Sequence, residues 1–355
     1  TKNIVSNLDK EVIIFNPLSE NDELSDKNII PSWELNDQEQ DFTLLLNKIA
    51  SSNITSLLIQ FNYGFYSFTE LFKLVETLNK NNINIIMLLH STQDPENDPD
   101  KKLILLKDVL IKCKRLIVHT LEDVNRLKNI GLMDNVSILP HAIRNVDDKK
   151  NLQNLNLLVS NTNRNIASFG FCLPNKGYQE LIKSISILRK LDFEINLTIF
   201  CAIYSPEFQW VSDELLELRK NLNLEKYVTI NNIYMHEEEI LLALNKFDCL
   251  IFPYQFSRES SSASVRQGLA SLKPVLVTPL DIFNDISNLV DYLPGFTPED
   301  IANGLRDWFI KDKTSRNSFI QNQDKRREII SSRSFSNVSS RLLNIIQSLE
   351  LNSLS

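Results

Sequence analysis

The stretch Ser168-Phe169-Gly170-Phe171-Cys172-Leu173-Pro174-Asn175-Lys176-Gly177 decides the fold of this chain. It follows the apolar run Ile166–Phe169 and opens a helical pattern over Gly177–Lys190, so it predicts a strand, a tight loop and a helix. The whole chain of 355 residues has only seven glycines, and two of them flank this loop. A loop at a helix N-terminus binds an anion, and Lys176 adds positive charge, which suits a diphosphate. The spacing alone fits equally well a plain turn with a surface lysine.

Short apolar runs alternate with helical patterns on both sides of this stretch. Such alternation predicts α/β folding, with parallel sheets covered by helices on both faces. Upstream, the strands are predicted at Val12–Phe15, Leu57–Gln60, Ile83–Leu89, Leu116–Val118 and Val136–Leu139, and the helices at Phe42–Ala50, Thr69–Asn79, Lys101–Lys114 and Glu122–Ile130. Downstream, further strands are predicted at Ile195–Phe200, Val228–Ile230, Leu250–Phe252 and Val275–Val277.

A polar segment rich in Asn and Asp, residues 144–164, separates the two series of strands and predicts a linker. We therefore expect two Rossmann-like domains, residues 1–150 and 151–334, facing each other across a cleft that holds the ligand. The tail Phe335–Leu349 has apolar residues at helical spacing. A terminal helix within 335–355 that packs back on the first domain would suit this pattern.

Composition excludes several classes of protein. Hydrophobic residues make up 43% of the chain and the net charge is −7, which argues against disorder and against a nucleic-acid partner. No apolar run reaches the ~18–20 residues of a membrane span, and no signal peptide is recognisable at the start. Four cysteines and four histidines lack ligand spacing, so we expect no metal site and a reducing, cytoplasmic setting. The basic segment Lys101–Arg115 suits contact with an anionic membrane at the inner face, although a solvated helix face explains it as well.

A second polar constellation follows the strand Leu250–Phe252. The segment Pro253–Gln267 is rich in serine and leads into a helix that ends near Pro274. Its small residues let backbone N–H groups approach a phosphate, and Glu259 can accept hydrogen bonds from sugar hydroxyls. A serine-rich helix cap is the alternative, but a cap does not require the neighbouring glutamate and arginine.

A histidine ends the strand Ile83–Leu89. His90 stands where polar residues of a parallel sheet face the ligand crevice, and Ser91-Thr92 follow it. A structural histidine is a serious alternative. His119 and His141 stand after later strands in the same way and are weaker candidates.

Together these motifs resemble the family 4 retaining glycosyltransferases, which have the GT-B fold. The stretch 168–177 resembles the first strand and loop of that family's C-terminal domain, and Glu259 to Gln267 has the spacing of its Glu-x7-Glu motif. Lys273–Thr278 resembles the strand that follows, His90 matches a strand-end histidine, and Ile138–Ala142 resembles the Pro-Asn-Gly type of element before the linker. The motifs span most of the chain, and their order and spacing make the combination specific.

The resemblance implies a role for each matching residue. Lys176 would neutralise the diphosphate leaving group, Glu259 would hold a donor-sugar hydroxyl, and His90 would bind the donor sugar near its anomeric carbon. The predicted donor-binding residues are Gly170, Phe171, Arg258, Ser260, Ser261, Ser262, Ala263, Arg266 and Gln267. The implied chemistry is front-face displacement with retention, assisted by the leaving phosphate, without a cofactor and without an obligatory metal.

The chain departs from the family pattern at three places. Gln267 replaces the second glutamate, so we expect altered affinity for the nucleotide ribose rather than loss of binding. Phe171 stands where many members have arginine, and Arg258 or Arg266 is the expected substitute cation. Lys10–Phe15 resembles the family's second strand, while the first strand and its glycine-rich loop have no counterpart. That gap suggests a fragment of a longer multidomain chain, or a sheet built differently.

The sequence therefore predicts transfer of a hexose from a nucleotide-diphosphate sugar to a glycan or other acceptor, in bacterial surface polysaccharide or glycoconjugate synthesis. One alternative is a glycosyltransferase-like module that binds a sugar nucleotide or a partner without catalysis. A GT-B epimerase of sugar nucleotides is a weaker alternative, since it needs acid/base carboxylates that no motif supplies.

Overall fold

The computed structural model describes residues 2–8, 11–18, 28–34, 40–96, 98–145, 164–310 and 323–352. The chain divides into two compact units. The first contains Thr1–His141, Arg258–Ser261 and Phe335–Ser355, and the second contains Ala142–Ser257 and Ser262–Ser334. The boundary predicted between residues 150 and 151 lies outside the described residues.

The first unit has a four-stranded parallel sheet in the order β3-β4-β5-β6 and a separate parallel pair, β1-β2. Its strands are β1 (Ile14–Pro17), β2 (Ile29–Trp33), β3 (Ser56–Phe61), β4 (Asn84–Leu89), β5 (Arg115–Val118) and β6 (Val136–Ile138). Its helices are α1 (Lys2–Val5), α2 (Thr43–Ser51), α3 (Phe68–Lys80), α4 (Lys107–Lys112), α5 (Leu121–Asn129) and, at the end of the chain, α12 (Phe335–Asn352). Every residue of β4 is buried, as expected for an inner strand of a parallel sheet covered on both faces.

The second unit has a six-stranded parallel sheet in the order β12-β11-β10-β7-β8-β9. Its strands are β7 (Arg164–Phe169), β8 (Ile195–Phe200), β9 (Val228–Asn231), β10 (Cys249–Phe252), β11 (Val275–Val277) and β12 (Asp291–Tyr292). Its helices are α6 (Tyr178–Lys190), α7 (Gln209–Asn221), α8 (Glu237–Leu244), α9 (Ala263–Ala270), α10 (Pro298–Ile310) and α11 (Gln323–Ser332). The strand order reverses between β7 and β10, which is where doubly wound sheets bind ligands at their carboxyl edge.

Helix α12 belongs to the first unit although it ends the chain. Ser339 Oγ on this helix donates to Ile4 O at 2.9 Å. Glu350 Oε1 accepts hydrogen bonds at 3.0 Å from the hydroxyls of Thr55 and Ser56, at the start of β3. These contacts and the buried side chains of Val338 and Leu342 attach the terminal helix to this unit.

Two predicted elements differ from the structure. The helix predicted over Lys101–Lys114 is a 3₁₀ turn at Leu103–Leu106 followed by the short α4. Leu103 and Leu106 are both buried, and their three-residue spacing matches the 3₁₀ repeat rather than the α-helical one. Strand β1 starts two residues later than predicted, and its partner β2 was not predicted because Pro31 interrupts the apolar run. In the part of the chain that the structure describes, no helix is long and apolar enough to cross a membrane.

Candidate functional site: a glycine loop between two helix N-termini

Gly170 follows β7 at the point where the strand order reverses. Its backbone lies so close to two helices that a Cβ atom there would stand 3.0 Å from Tyr178 Oη and 3.1 Å from Ser264 Oγ. Tyr178 is the first residue of α6 and Ser264 the second residue of α9. Side chains from the first turns of two helices therefore lie against this glycine, and a helix N-terminus carries free N–H groups and a positive end. Such a place favours an anion.

Gly177 is required by its neighbours and by its own backbone. Its φ of 73° lies in the left-handed region, and a Cβ would lie 1.8 Å from the carbonyl oxygen of Pro253, just after β10. The backbone N–H of Gln255 donates to Asn175 O at 2.8 Å. The loop after β7 is thus fixed to the segment after β10, and its close packing explains the glycine in the sequence motif.

Lys176 lies on the face of an aromatic ring. Its Nζ is 3.9 Å from the ring centroid of Tyr254, a favourable cation–π geometry. The Tyr254 hydroxyl lies 2.9 Å from Ser262 Oγ, and Ser262 caps α9 by accepting the N–H of Val265. Tyr254 therefore connects Lys176, in the loop after β7, with Ser262, the residue that caps α9. The positive charge of Lys176 thus lies near residues of both loops.

Two hydroxyls of this region are buried without a hydrogen-bond partner among the described residues: Tyr178 Oη and Ser168 Oγ. Burial raises the pKa of the Tyr178 phenol well above its usual range, so the group stays a neutral hydroxyl that can donate. Buried polar groups are nearly always paired in proteins. The Tyr178 hydroxyl beside Gly170 can therefore donate to an acceptor from outside the described residues.

Three predicted donor-binding residues have partners within the second unit. Arg266 is buried, pairs with Asp285 at 2.5 Å and donates to Ser262 O at 3.1 Å, so its charge is used inside the unit. Gln267 Nε2 donates to Glu237 O at 3.2 Å. Phe171 is 40% exposed and makes an edge contact with Tyr204, with ring centroids 5.2 Å apart.

The segment Arg258–Ser261 belongs to the first unit. The N–H of Ser260 donates to His90 O at 3.1 Å, and Ser91 Oγ donates to Arg258 O at 2.6 Å. Glu259 Oε1 accepts a hydrogen bond from Asn62 Nδ2 at 3.3 Å. These bonds bring Glu259 and His90, which are far apart in the sequence, into one neighbourhood. Arg258 forms an ion pair with Glu96.

Asp123 anchors the segment Arg258–Ser261 through a hydrogen bond. It is fully buried, and its Oδ1 accepts hydrogen bonds from Ser260 Oγ at 2.7 Å and Thr92 Oγ1 at 2.6 Å. Its Oδ2 closes a capping box with Thr120 at the start of α5, and Arg126 lies 3.2 Å from Oδ1. The sequence shows only the capping box, because the link to Ser260 spans 137 residues.

His90 is part of a hydrogen-bonded chain. Its Nε2 lies 2.9 Å from Gln60 Oε1, and its Nδ1 lies 3.3 Å from His119 Nε2. Burial, and then the neighbouring His119, lower the pKa of His90 to about 4, so its ring is neutral at pH 7. Sequence reasoning missed Gln60, Asn62, Asp123, Tyr178 and Tyr254, since each lies in an ordinary strand, helix or loop pattern. Among the described residues, no three His, Cys, Asp or Glu side chains form a group that could hold a metal ion.

The comparisons with known proteins define the fold. No protein-family profile matches the sequence, and no curated protein is similar enough to match it. Solved structures do match. A glycosyltransferase from Rickettsia africae has 15% identity and a TM-score of 0.67, with 90% of this chain and 84% of that chain covered. HepE from Anabaena in complex with UDP has 13% identity and a TM-score of 0.68, with 86% and 82% covered.

A third similar structure is a trehalose-6-phosphate synthase, studied for glycosyl transfer with retention. It has 14% identity and a TM-score of 0.66, with 86% of this chain and 77% of that chain covered. The chain therefore has the GT-B fold, with parallel Rossmann-like sheets, as the sequence predicts.

Proposed function

We propose that this protein is a retaining glycosyltransferase that moves a hexose from a nucleotide-diphosphate sugar to a glycan or related acceptor. The observation that carries the proposal is the position of Gly170 against side chains from the first turns of α6 and α9, in a loop whose Lys176 lies on the ring of Tyr254. The UDP complex of HepE and the retaining transfer studied in trehalose-6-phosphate synthase support it by analogy of fold.

The diphosphate of the donor would bind at the two helix N-termini. Its oxygens would accept from backbone N–H groups at the start of α6 and α9, and from the unpaired hydroxyl of Tyr178. Lys176 would stabilise the negative charge that grows on the diphosphate as the bond to the sugar breaks. Stabilisation of charge that develops in the transition state lowers the barrier more than binding the ground state does.

Glu259 and His90 would have the roles in sugar binding that the resemblance implies for them. The Glu259 carboxylate would accept hydrogen bonds from hydroxyls of the hexose, and His90 would bind a hydroxyl near the anomeric carbon. In front-face displacement the acceptor attacks from the side on which the diphosphate leaves. The leaving phosphate then takes the acceptor's proton, so no side-chain base is required and the configuration is retained.

The proposed setting is bacterial surface polysaccharide or glycoconjugate synthesis, with no metal ligand assigned. Contact of residues 101–115 with an anionic membrane stays a prediction. In this segment the side chains of Ile104, Leu105 and Ile111 are 45%, 58% and 55% exposed, among five lysines and an arginine. Binding to vesicles of anionic lipid, with neutral vesicles as the control, tests this contact.

Product analysis tests the activity. Purified protein is incubated with UDP-, GDP- and ADP-hexoses and a set of glycan acceptors, and released nucleotide and product are measured. The proposal expects a new glycoside, with the anomeric configuration of the donor as read by NMR. An inverted product would contradict the retaining mechanism, and release of nucleotide with an isomerised free sugar would indicate an epimerase.

A binding module without catalysis is the second candidate. Arg266 forms an ion pair with Asp285, and Phe171 stands where many family 4 members carry an arginine. Fewer positive charges are therefore available for the diphosphate than the resemblance implies. Binding of a sugar nucleotide in calorimetry, without turnover on any acceptor, would favour this candidate over the enzyme.

A further inference from the structure

One continuous chain of hydrogen bonds runs along the carboxyl edge of the first unit's four-stranded sheet. Each strand contributes one member: Gln60 from β3, His90 after β4, His119 after β5 and Leu139 after β6. The distances are 2.9 Å from Gln60 Oε1 to His90 Nε2, 3.3 Å from His90 Nδ1 to His119 Nε2, and 3.0 Å from His119 Nδ1 to Leu139 O. All four ring nitrogens of the two histidines are therefore engaged.

The carbonyl of Leu139 determines which atoms donate and which accept along this series of hydrogen bonds. Leu139 contributes a backbone carbonyl oxygen, which can only accept, so His119 Nδ1 must carry a hydrogen. A neutral imidazole carries one hydrogen, so His119 Nε2 is left as an acceptor. His90 Nδ1 must then donate to it, which leaves His90 Nε2 without a hydrogen. Gln60 donates to that nitrogen in the neutral chain through Nε2, after a half-turn of its amide group.

Burial supports the neutral form of the pair. His119 is 5% exposed, and the ring of His141 packs beside it with centroids 5.3 Å apart. A second proton on the pair would put a positive charge in this poorly solvated place. The low pKa of His90, caused first by burial, agrees with a neutral ring.

We propose that His119 is a positioning residue that, through the Leu139 carbonyl, holds His90 as the tautomer protonated at Nδ1. His90 Nε2 is then an acceptor, and a sugar hydroxyl would bind it by taking the place of Gln60 as its hydrogen-bond donor. The choice of ligand rests on the proposed function, whereas the tautomer rests on the Leu139 carbonyl, on the neutrality of the buried pair and on the turned amide of Gln60. The motif resemblance implies that His90 is a sugar ligand but says nothing of its tautomer or of His119.

Long-range ¹H–¹⁵N NMR of the ¹⁵N-labelled full chain at pH 7 tests the tautomer without any ligand. The His90→Gln and His119→Gln variants assign the signals. We expect His90 and His119 both to be protonated at Nδ1 and bare at Nε2. A His90 ring protonated at Nε2, or at both nitrogens, would overturn the proposal.

The variant His119→Phe tests whether His119 determines the tautomer of His90. It keeps an aromatic ring of similar size but offers no acceptor, so His90 should change to the Nε2-protonated tautomer and donate to Gln60 Oε1. His119→Gln, which can offer an oxygen near the former Nε2, should restore the original tautomer in part. An unchanged His90 tautomer in folded His119→Phe would refute the role of His119. Should His119→Phe fail to fold, the wild-type spectrum still decides.

Donor analogues connect the tautomer with binding. Fluorine can accept but cannot donate, so one deoxyfluoro sugar nucleotide in a positional series should bind wild type about tenfold more weakly, the equivalent of one hydrogen bond. His119→Phe should lose this discrimination. Equal affinity for every analogue in both proteins would contradict the link to the sugar, while transfer from the parent nucleotide sugar to an acceptor would still uphold the proposed function.

Discussion

Ser260 Oγ lies 2.7 Å from Oδ1 of Asp123, a carboxylate with no exposed surface. The serine stands next to Glu259, and the aspartate lies in the first turn of α5, 137 residues earlier in the chain. A buried carboxylate needs several donors, and here Thr92, Thr120 and Ser260 supply them. Asp123 thus holds the segment that places Glu259 beside Asn62.

Ser260→Ala should lower the free energy of unfolding by about 1 kcal/mol, because it removes one hydrogen bond while Thr92 and Thr120 still satisfy the carboxylate. It should also raise the KM for the donor, since Glu259 loses its support. Urea unfolding and initial rates measure the two effects, with Ser340→Ala, a change of an exposed serine on α12, as the control. Unaltered KM in a destabilised variant would restrict Asp123 to a structural role.

Lys176→Ala should lower turnover about a hundredfold or more, the scale seen when one group that stabilises transition-state charge is removed. The fold should survive, because the Lys176 side chain is only partly buried. Steady-state rates and circular dichroism measure this. Lys190→Ala, a change of an exposed lysine at the end of α6, should leave both properties unaltered.

Gly177→Ala should both destabilise the protein and weaken donor binding. A left-handed backbone costs a residue with a side chain about 1–2 kcal/mol, and the added Cβ would also collide with Pro253 O. Gly64→Ala is the matched control, because nothing lies within 4 Å of a Cβ built there. Equal unfolding midpoints for the two variants would show that the loop after β7 is not packed as described.

Stability should depend on pH through His90. Its pKa is about 4 in the folded protein against 6.5 unperturbed, so the unfolded chain binds the proton more tightly between these values. The contribution is complete above about pH 6.5 and is lost as the pH falls towards 4, by on the order of 3 kcal/mol. Urea unfolding at several pH values, compared with His90→Gln, should show a smaller loss in the variant. If the free energy of unfolding fell equally with pH in wild type and His90→Gln, a lowered pKa of His90 would be contradicted.

The predicted elements around Gly170 match the structure closely, because the glycines that bound the loop and the apolar periodicity indicate the same boundaries. Gly177 stands immediately before α6, and β8 was predicted at its observed bounds. The separate β1-β2 pair escaped prediction because Pro31 and the short apolar runs resemble a loop. Local sequence patterns indicate single helices and strands, but they do not indicate which helices and strands, distant in the sequence, are in contact.

The same limit applies to the candidate site. Lys176, Glu259 and His90 were predicted from their places after strands, which a linear pattern shows. Tyr254, Asp123 and Gln60 were missed because their importance comes from bonds to residues far away in the sequence. Arg266 was predicted to face the donor, but the nearby Asp285 that engages it could not be paired with it from sequence.

Thermal unfolding with UDP, GDP, ADP, CMP and their sugar conjugates tests the central claim most directly, when wild type and Lys176→Ala are compared. A ligand at about 100 times its Kd adds about 2.7 kcal/mol of stability, a shift that is easily measured. We predict a clear shift of wild type with one diphosphate and its conjugates, and a much smaller shift of Lys176→Ala. No shift of wild type with any of them, or an equal shift of both proteins, would contradict a diphosphate site at Gly170 and Lys176.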